Sequence, residues 1–284
     1  MLKCAFALFS LLSFSVLAQH TEGTLLFKVS HPDSDQTSYL FGTHHAFSKS
    51  FFEQQTEAIL ALENAEILIK ENLTIAGKGS KEIINARFEN TVWEKFLNKK
   101  DLIYMRSLFA NSDTDFNKMH PAEVASFLHR KLSIMACDTR SATDPDLTLD
   151  DYIEDYAKSL DIPLIGLETV AEQLEIIQKD IEGMPPKVHK KRLSALIEQH
   201  QNNGQGYGCA ATELYATKGF DFTYDQPCSN TLMLTDRNKK WMETIETKLK
   251  EANCFIAVGL SHLMFECGLI SQLRGMGYNV EPVL

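Results

Sequence analysis

Two short phrases, Gly42-Thr43-His44-His45 and Gly259-Leu260-Ser261-His262, each follow a short apolar run and each precede a helical pattern. Each reads as a strand, a tight glycine turn and a histidine at the strand's carboxyl end, which is where open α/β sheets place their ligands. One G-x-x-H fixes only two letters and says little. Two copies in matching context predict a fold that brings His45 and His262 to one site.

The first residues are read separately from the fold. Lys3 gives a charged start, residues 4–17 form an uncharged Phe/Leu-rich stretch, and Val16-Leu17-Ala18 is a small-residue cleavage signal. That pattern predicts a secretory leader over residues 1–18, cut after Ala18, and an α/β domain over residues 19–284. The apolar stretch is short for a span of the ~30 Å hydrocarbon core, so no stable membrane span is expected after cleavage. Cys4 precedes the apolar run and so does not sit where a lipid-modified cysteine would. A periplasmic or secreted protein is expected.

The formal net charge of −10 becomes −11 when Lys3 leaves with the leader, and no basic run exceeds His189-Lys190-Lys191-Arg192. This excludes nucleic acid as an expected partner, because a phosphate backbone is held by clustered cations. Cys137, Cys209, Cys228, Cys254 and Cys267 remain after cleavage. In an oxidising compartment an odd number leaves one thiol over. Cys209 and Cys228 flank a Gly/Tyr/Asp-rich stretch and are the expected disulfide.

Residues 24–29 and 39–42 read as a hairpin around His31-Pro32-Asp33. Residues 51–62 have helical spacing, and residues 65–71 read as a buried strand ending in Glu71. Strand, helix, strand implies a parallel crossover, which puts Glu71 on the same sheet edge as His45. Residues 82–130 read as a helical insertion. The β/α alternation then resumes: helix 149–160, strand 162–167 closed by Glu168, helix 170–180, helix 188–200, helix 232–252, strand 255–258, helix 262–275 and strand 278–283.

Two neutral imidazoles and one carboxylate on neighbouring strand ends suit Zn²⁺, Mn²⁺, Fe²⁺ or Co²⁺ with one position left for water. His45, Glu71 and His262 are therefore the candidate metal ligands. Of the adjacent pair His44 and His45, only one should enter the site, since neighbours on an extended segment face opposite ways; the spacing from the glycine selects His45. Glu168 is a second carboxylate at the same edge. Arg237, in the long helix before the second G-x-x-H, is a candidate clamp for a substrate carboxylate or a site glutamate. The chain has no G-x-S-x-G, H-E-x-x-H, P-loop or G-x-G-x-x-G signature.

Tyr39-Leu40-Phe41-Gly42-Thr43-His44-His45, Ala65-Glu66-Ile67-Leu68-Ile69-Lys70-Glu71, the run Gly166-Leu167-Glu168-Thr169 to Leu174, Arg237-Asn238 and Val258-Gly259-Leu260-Ser261-His262-Leu263, in that order, resemble the TraB/GumN family. The resemblance spans the whole mature chain. It implies an α/β fold with a mixed central sheet flanked by helices, in two related halves that each contribute one G-x-x-H, with a helical insertion between them. The family includes the TIKI proteins, metal-dependent proteases acting on Wnt, and looks related to the erythromycin esterase and ChaN-like clan. By that resemblance His45, His262 and Glu71 form the core of the site and Arg237 assists. Met264-Phe265 stands where the family commonly shows Pro-Gly.

The expected function is an exported metal-dependent hydrolase of the peptidase type, acting on a peptide or small-molecule substrate. In it His45, His262 and Glu71 hold a divalent ion (Mn, Co, Zn or Fe), with Glu71, Glu168 and Arg237 as the catalytic groups. The alternative is a non-catalytic periplasmic protein that captures a peptide or other ligand in the same cleft.

Overall fold

The computed structural model describes residues 23–284; the expected leader lies outside the described residues. Six strands form one mixed sheet: β1 (Leu26–Ser30), β2 (Thr37–Thr43), β3 (Ile67–Lys70), β4 (Leu164–Gly166), β5 (Cys254–Gly259) and β6 (Asn279–Pro282). Their order in space is β4-β3-β5-β2-β1-β6. The four strands β4, β3, β5 and β2 run parallel, and β1 is antiparallel to both of its neighbours.

Among the described residues eleven α-helices cover the sheet and extend beyond it: α1 (Lys49–Phe52), α2 (Thr56–Glu63), α3 (Ser80–Asn85), α4 (Lys99–Leu108), α5 (Pro121–Ala136), α6 (Leu149–Ser159), α7 (Val170–Asp180), α8 (Pro186–Gln201), α9 (Ala210–Thr217), α10 (Asp236–Glu251) and α11 (Leu269–Gly275).

Strand periodicity sorts the core into two layers. Successive side chains leave opposite faces of a strand. Leu40, Ile69, Ile256 and Val258 accordingly pack against Trp241, Met242, Ile245 and Leu249 of α10 and Leu269, Ile270 and Leu273 of α11. Phe41, Leu68, Phe255 and Ala257 pack on the other face, against Phe52, Ala58, Leu62 and the α6 residues Leu149, Ile153 and Ala157. With both faces covered, the parallel strands are apolar throughout and not alternating. A third core, with Trp93, Met105, Leu128, Leu132, Leu193 and Ile197, sits among α4, α5 and α8 away from the sheet. It contains the helical insertion expected from residues 82–130 and also α8, which returns from later in the chain.

The hairpin, the strand ending at Glu71, the strand before Glu168 and the final strand all form. The crossover from β2 to β3 is parallel, with β5 lying between them. Three expectations are corrected. Gly42 is not a turn residue: it lies inside β2, and neither it nor Gly259 has a positive φ. The helix expected over residues 262–275 is a 3-10 turn, Leu260–His262, followed by a loop and then α11, since Gly268 lies against the backbone of Leu263 and Met264. The disulfides are Cys137–Cys209 and Cys228–Cys267, with Cys254 free and buried, so the expected Cys209–Cys228 link is absent. Proximity in sequence misled there, because both partners are set by helices and loops that return from elsewhere in the chain.

Candidate active site at the carboxyl edge of the sheet

Parallel pairing places four chain segments side by side. Thr43 pairs with Gly259, Lys70 with Ala257 and Lys70 with Gly166. The residues just beyond, His44 and His45, Glu71, Glu168, and Leu260 to His262, therefore leave the sheet at one edge.

His45 is held by a residue the sequence reading missed. Its Nδ1 lies 2.7 Å from Asp150 Oδ2, and the other carboxylate oxygen of Asp150 accepts from the Thr43 hydroxyl. Asp150 sits in the first turn of α6, whose N-cap is Thr148. Thr-x-Asp-Asp at a helix start reads as capping and dipole compensation, which hid its second use. Lys70, buried at the end of β3, pairs with Glu154 at 2.7 Å and Asp151 at 3.2 Å and fixes α6 against the sheet end. The ring Nε2 of His45 is left free, and its side chain is 58% exposed. The nearby Asp150 carboxylate raises its pKa to about 9 against an opposing effect of burial. His44, set against Phe47 and Tyr215, is lowered to about 4 by burial.

The other predicted residues form one closed, buried network around Arg237. Nη2 donates to Glu71 Oε2 at 2.7 Å and Glu168 Oε1 at 2.6 Å, Nε to Glu168 Oε2 at 3.1 Å, and Nη1 to Met233 O at 3.3 Å and His262 Nε2 at 2.9 Å. These contacts use all five guanidinium N–H groups. The guanidinium also lies 4.5 Å from the Trp241 ring. His262 Nε2 accepts from Arg237, which assigns the proton to Nδ1, and Nδ1–H donates to Asn238 Oδ1 at 2.6 Å. Burial lowers the His262 pKa to about 4, consistent with a neutral ring. Burial raises the Glu168 pKa, only partly offset by Arg237; for Glu71 burial acts the same way, but the charges of Arg237 and His45 work against it and the pKa falls. Glu71 also accepts from the Gly259 amide at 2.7 Å and from Gln173 at 3.2 Å.

Against a divalent ion, the predicted ligands divide. His45 offers an unengaged nitrogen. The lone pair of His262 Nε2 and both oxygens of Glu71 already receive N–H groups, and the Arg237 cation beside them repels a second cation. Among the described residues no group of three His, Cys, Asp or Glu is placed to hold a metal. In this arrangement the trio His45, His262 and Glu71 does not fit a metal.

The family model described as TraB/PrgY/gumN matches residues 25–282. The chain belongs to the TraB/PrgY/gumN family. No curated protein and no solved structure was found to match it. Four of the sequence segments that resembled the family end at this edge, and the fifth, Arg237-Asn238 on α10, reaches it through side chains. A cavity of about 420 Å³ lies at the opposite edge, among Lys28, Thr37, Tyr39, Asn253 and Cys254. It sits at the amino ends of β2 and β5, away from every candidate residue.

Proposed function

We propose that the chain is an exported hydrolase of the peptidase type whose reacting group is His45. The observation that carries this reading is an exposed imidazole whose far nitrogen is held at 2.7 Å by a buried carboxylate, at the ligand-binding edge of an α/β sheet. In the neutral ring, Nδ1–H donates to Asp150 and Nε2 has the lone pair. Water attacks the substrate carbonyl carbon as Nε2 takes its proton. When the tetrahedral intermediate collapses, the C–N bond breaks and Nε2–H passes that proton to the leaving amine. Glu71, Glu168, Arg237 and His262 position the strand ends, since the guanidinium has no N–H left for a substrate.

With a pKa of about 9, roughly one ring in a hundred is neutral at pH 7. The reaction is therefore expected to quicken into the alkaline range. Export is supported by the two disulfides, which suit an oxidising compartment. Among the described residues no helix is long and apolar enough to cross a membrane.

The metal-dependent version has one support in the geometry: a histidine tied through Nδ1 to a carboxylate is the form in which imidazoles ligate metals. A peptide-library cleavage screen of the mature chain, with and without chelator, separates the readings. Cleavage that survives chelation and is lost in His45→Ala and Asp150→Ala supports the His–Asp pair. Cleavage abolished by chelator and restored by Mn, Co, Zn or Fe supports a metal. Retention of a peptide without cleavage leaves a binding protein.

A further inference from the structure

The segment joining α5 to α6 carries an arginine pair that the hydrolytic step does not use. Arg140 is 10% exposed at its side chain. Its Nε donates to Ala46 O at 3.0 Å and its Nη1 to Pro145 O at 3.3 Å, while Nη2 is buried with no hydrogen-bond partner. Arg130, in the second half of α5, is 39% exposed at its side chain but has a buried Nε that likewise lacks a partner. The two cations are near enough that Arg130, after burial, depresses the basicity of Arg140.

Two cations held this close, one of them nine-tenths buried, are costly unless an anion joins them, and buried donors without partners call for an explanation. Only one anion lies between the two, and loosely. Asp146 Oδ1 lies 3.9 Å from Arg130 Nη2 and 3.8 Å from Arg140 Nη1, beyond hydrogen-bond length, and its side chain is 84% exposed. Asp144 and Asp151 also face Arg140, but Asp144 accepts from Ser50 and Ser141, and Asp151 from Lys70 and Thr148.

The pair adjoins the proposed reacting group. Arg140 grips the carbonyl of Ala46, the residue after His45, and Thr139 donates to the same oxygen at 3.0 Å.

We propose that Arg130 and Arg140 form a carboxylate-binding subsite beside His45, occupied by a carboxylate of the substrate in place of Asp146. The word substrate rests on the hydrolase reading; the binding does not. Two guanidiniums offer parallel N–H pairs to a carboxylate, and charge-assisted bonds of that kind close to about 2.7–2.9 Å. Asp146 is the internal stand-in that an incoming acid displaces.

The test is calorimetric titration of the full mature chain with N-acetyl-dialanine, its C-terminal amide and N-acetyl-glutamyl-alanine amide. The free acid is expected to bind at least about tenfold tighter than its amide. Arg130→Gln should erase that difference, and Asp146→Asn should tighten the acid several-fold without changing the amide. Arg130 is the informative variant, because Arg140 also holds the Ala46 carbonyl. If the glutamyl amide shares the preference, side-chain carboxylates enter as well; if not, the subsite reads chain ends, and both results support it. Equal binding of acid and amide, binding of neither, or an acid affinity indifferent to Asp146→Asn overturns the proposal. His45→Ala should keep the discrimination. Discrimination without cleavage of any peptide would end the hydrolase reading and leave the subsite, whereas cleavage without discrimination would end the subsite alone.

Discussion

Gly259 and Glu71 meet twice: the Gly259 amide donates to Glu71 Oε1 at 2.7 Å, and a Cβ built on Gly259 would stand 3.0 Å from that same oxygen. The glycine of the second G-x-x-H is therefore there for close approach and not for an unusual backbone angle. Gly42 is the counterpart on β2, where a Cβ would come within 2.7 Å of Leu260 Cδ1. The motif is a packing device that lets two strand ends and a carboxylate share one edge.

Gly259→Ala is expected to push the Glu71 carboxylate off the amide and disturb its pairing with Arg237. Overpacking of this kind costs about 1–3 kcal/mol, read as a lower urea midpoint, and cleavage should fall more steeply than stability. Gly42→Ala meets the Leu260 side chain and, at 3.3 Å, the Leu260 Cα, but no group of the carboxylate network, so its cost should fall on stability and its loss of activity should be smaller. Equal activity losses in the two variants would refute this account.

The His45–Asp150 pair sets a pH dependence with a definite sign. The His45 pKa is raised from 6.5 to about 9, so its contribution to stability is full below about 6.5 and is lost as pH rises through 9. The Asp150 pKa is depressed, against the effect of burial, by His45 and Thr43, so its contribution is full above the ordinary carboxylate value and is lost on acidification. Stability from the pair therefore peaks in mildly acidic solution. Urea midpoints at pH 6 and pH 9.5 should differ more in wild type than in Asp150→Asn. The alkaline rise of the cleavage rate should shift toward neutral pH in that variant, with a lower plateau. A rise that stays near pH 9 in Asp150→Asn would show that His45 is not the titrating group.

The sheet was legible because burial on both faces makes its strands plain apolar runs bounded by turn residues, as at residues 255–258 and 67–69. Glu71, Glu168, His45 and His262 were legible as a group because parallel strands share a carboxyl edge, and Arg237 because its helix leads into the second G-x-x-H. Their pairings were not. Only side-chain geometry shows that Arg237 spends its donors on Glu71, Glu168, His262 and the Met233 carbonyl, while His45 turns instead to Asp150. Asp150 itself was masked by an ordinary helix start. Arg130 and Arg140 carry no spacing signal, because they meet only through the loop that the Cys137–Cys209 bridge ties down.

Arg237 should prove a keystone of stability. Removing the cation in Arg237→Met leaves Glu71 and Glu168 buried without their partner, and breaking such a pair costs about 3–5 kcal/mol. Glu168→Gln in the same chain removes one uncompensated charge and should recover part of that loss. A double-mutant cycle by chemical denaturation should give a coupling of at least about 1 kcal/mol. Additive losses would mean that the network in the fold is not an energetic unit.

The cysteines supply a check that is independent of activity. Burial, with a small opposing effect from Ser38, raises the Cys254 thiol to about 11, and the residue is enclosed, so native protein should resist alkylation. Unfolding without reductant should expose that one thiol, and peptide mapping should find Cys137 linked to Cys209 and Cys228 to Cys267. The two bridges serve different places. Cys267 O accepts from Asn238 Nδ2 at 2.9 Å, and the same Asn238 holds His262, so Cys228→Ala with Cys267→Ala should loosen the ring of His262 as well as cost about 2–5 kcal/mol. Removing Cys137 and Cys209 should cost a similar amount but act on the Arg140 loop, and so on carboxylate binding. Mapping that finds Cys209 joined to Cys228 would contradict the placement of both loops.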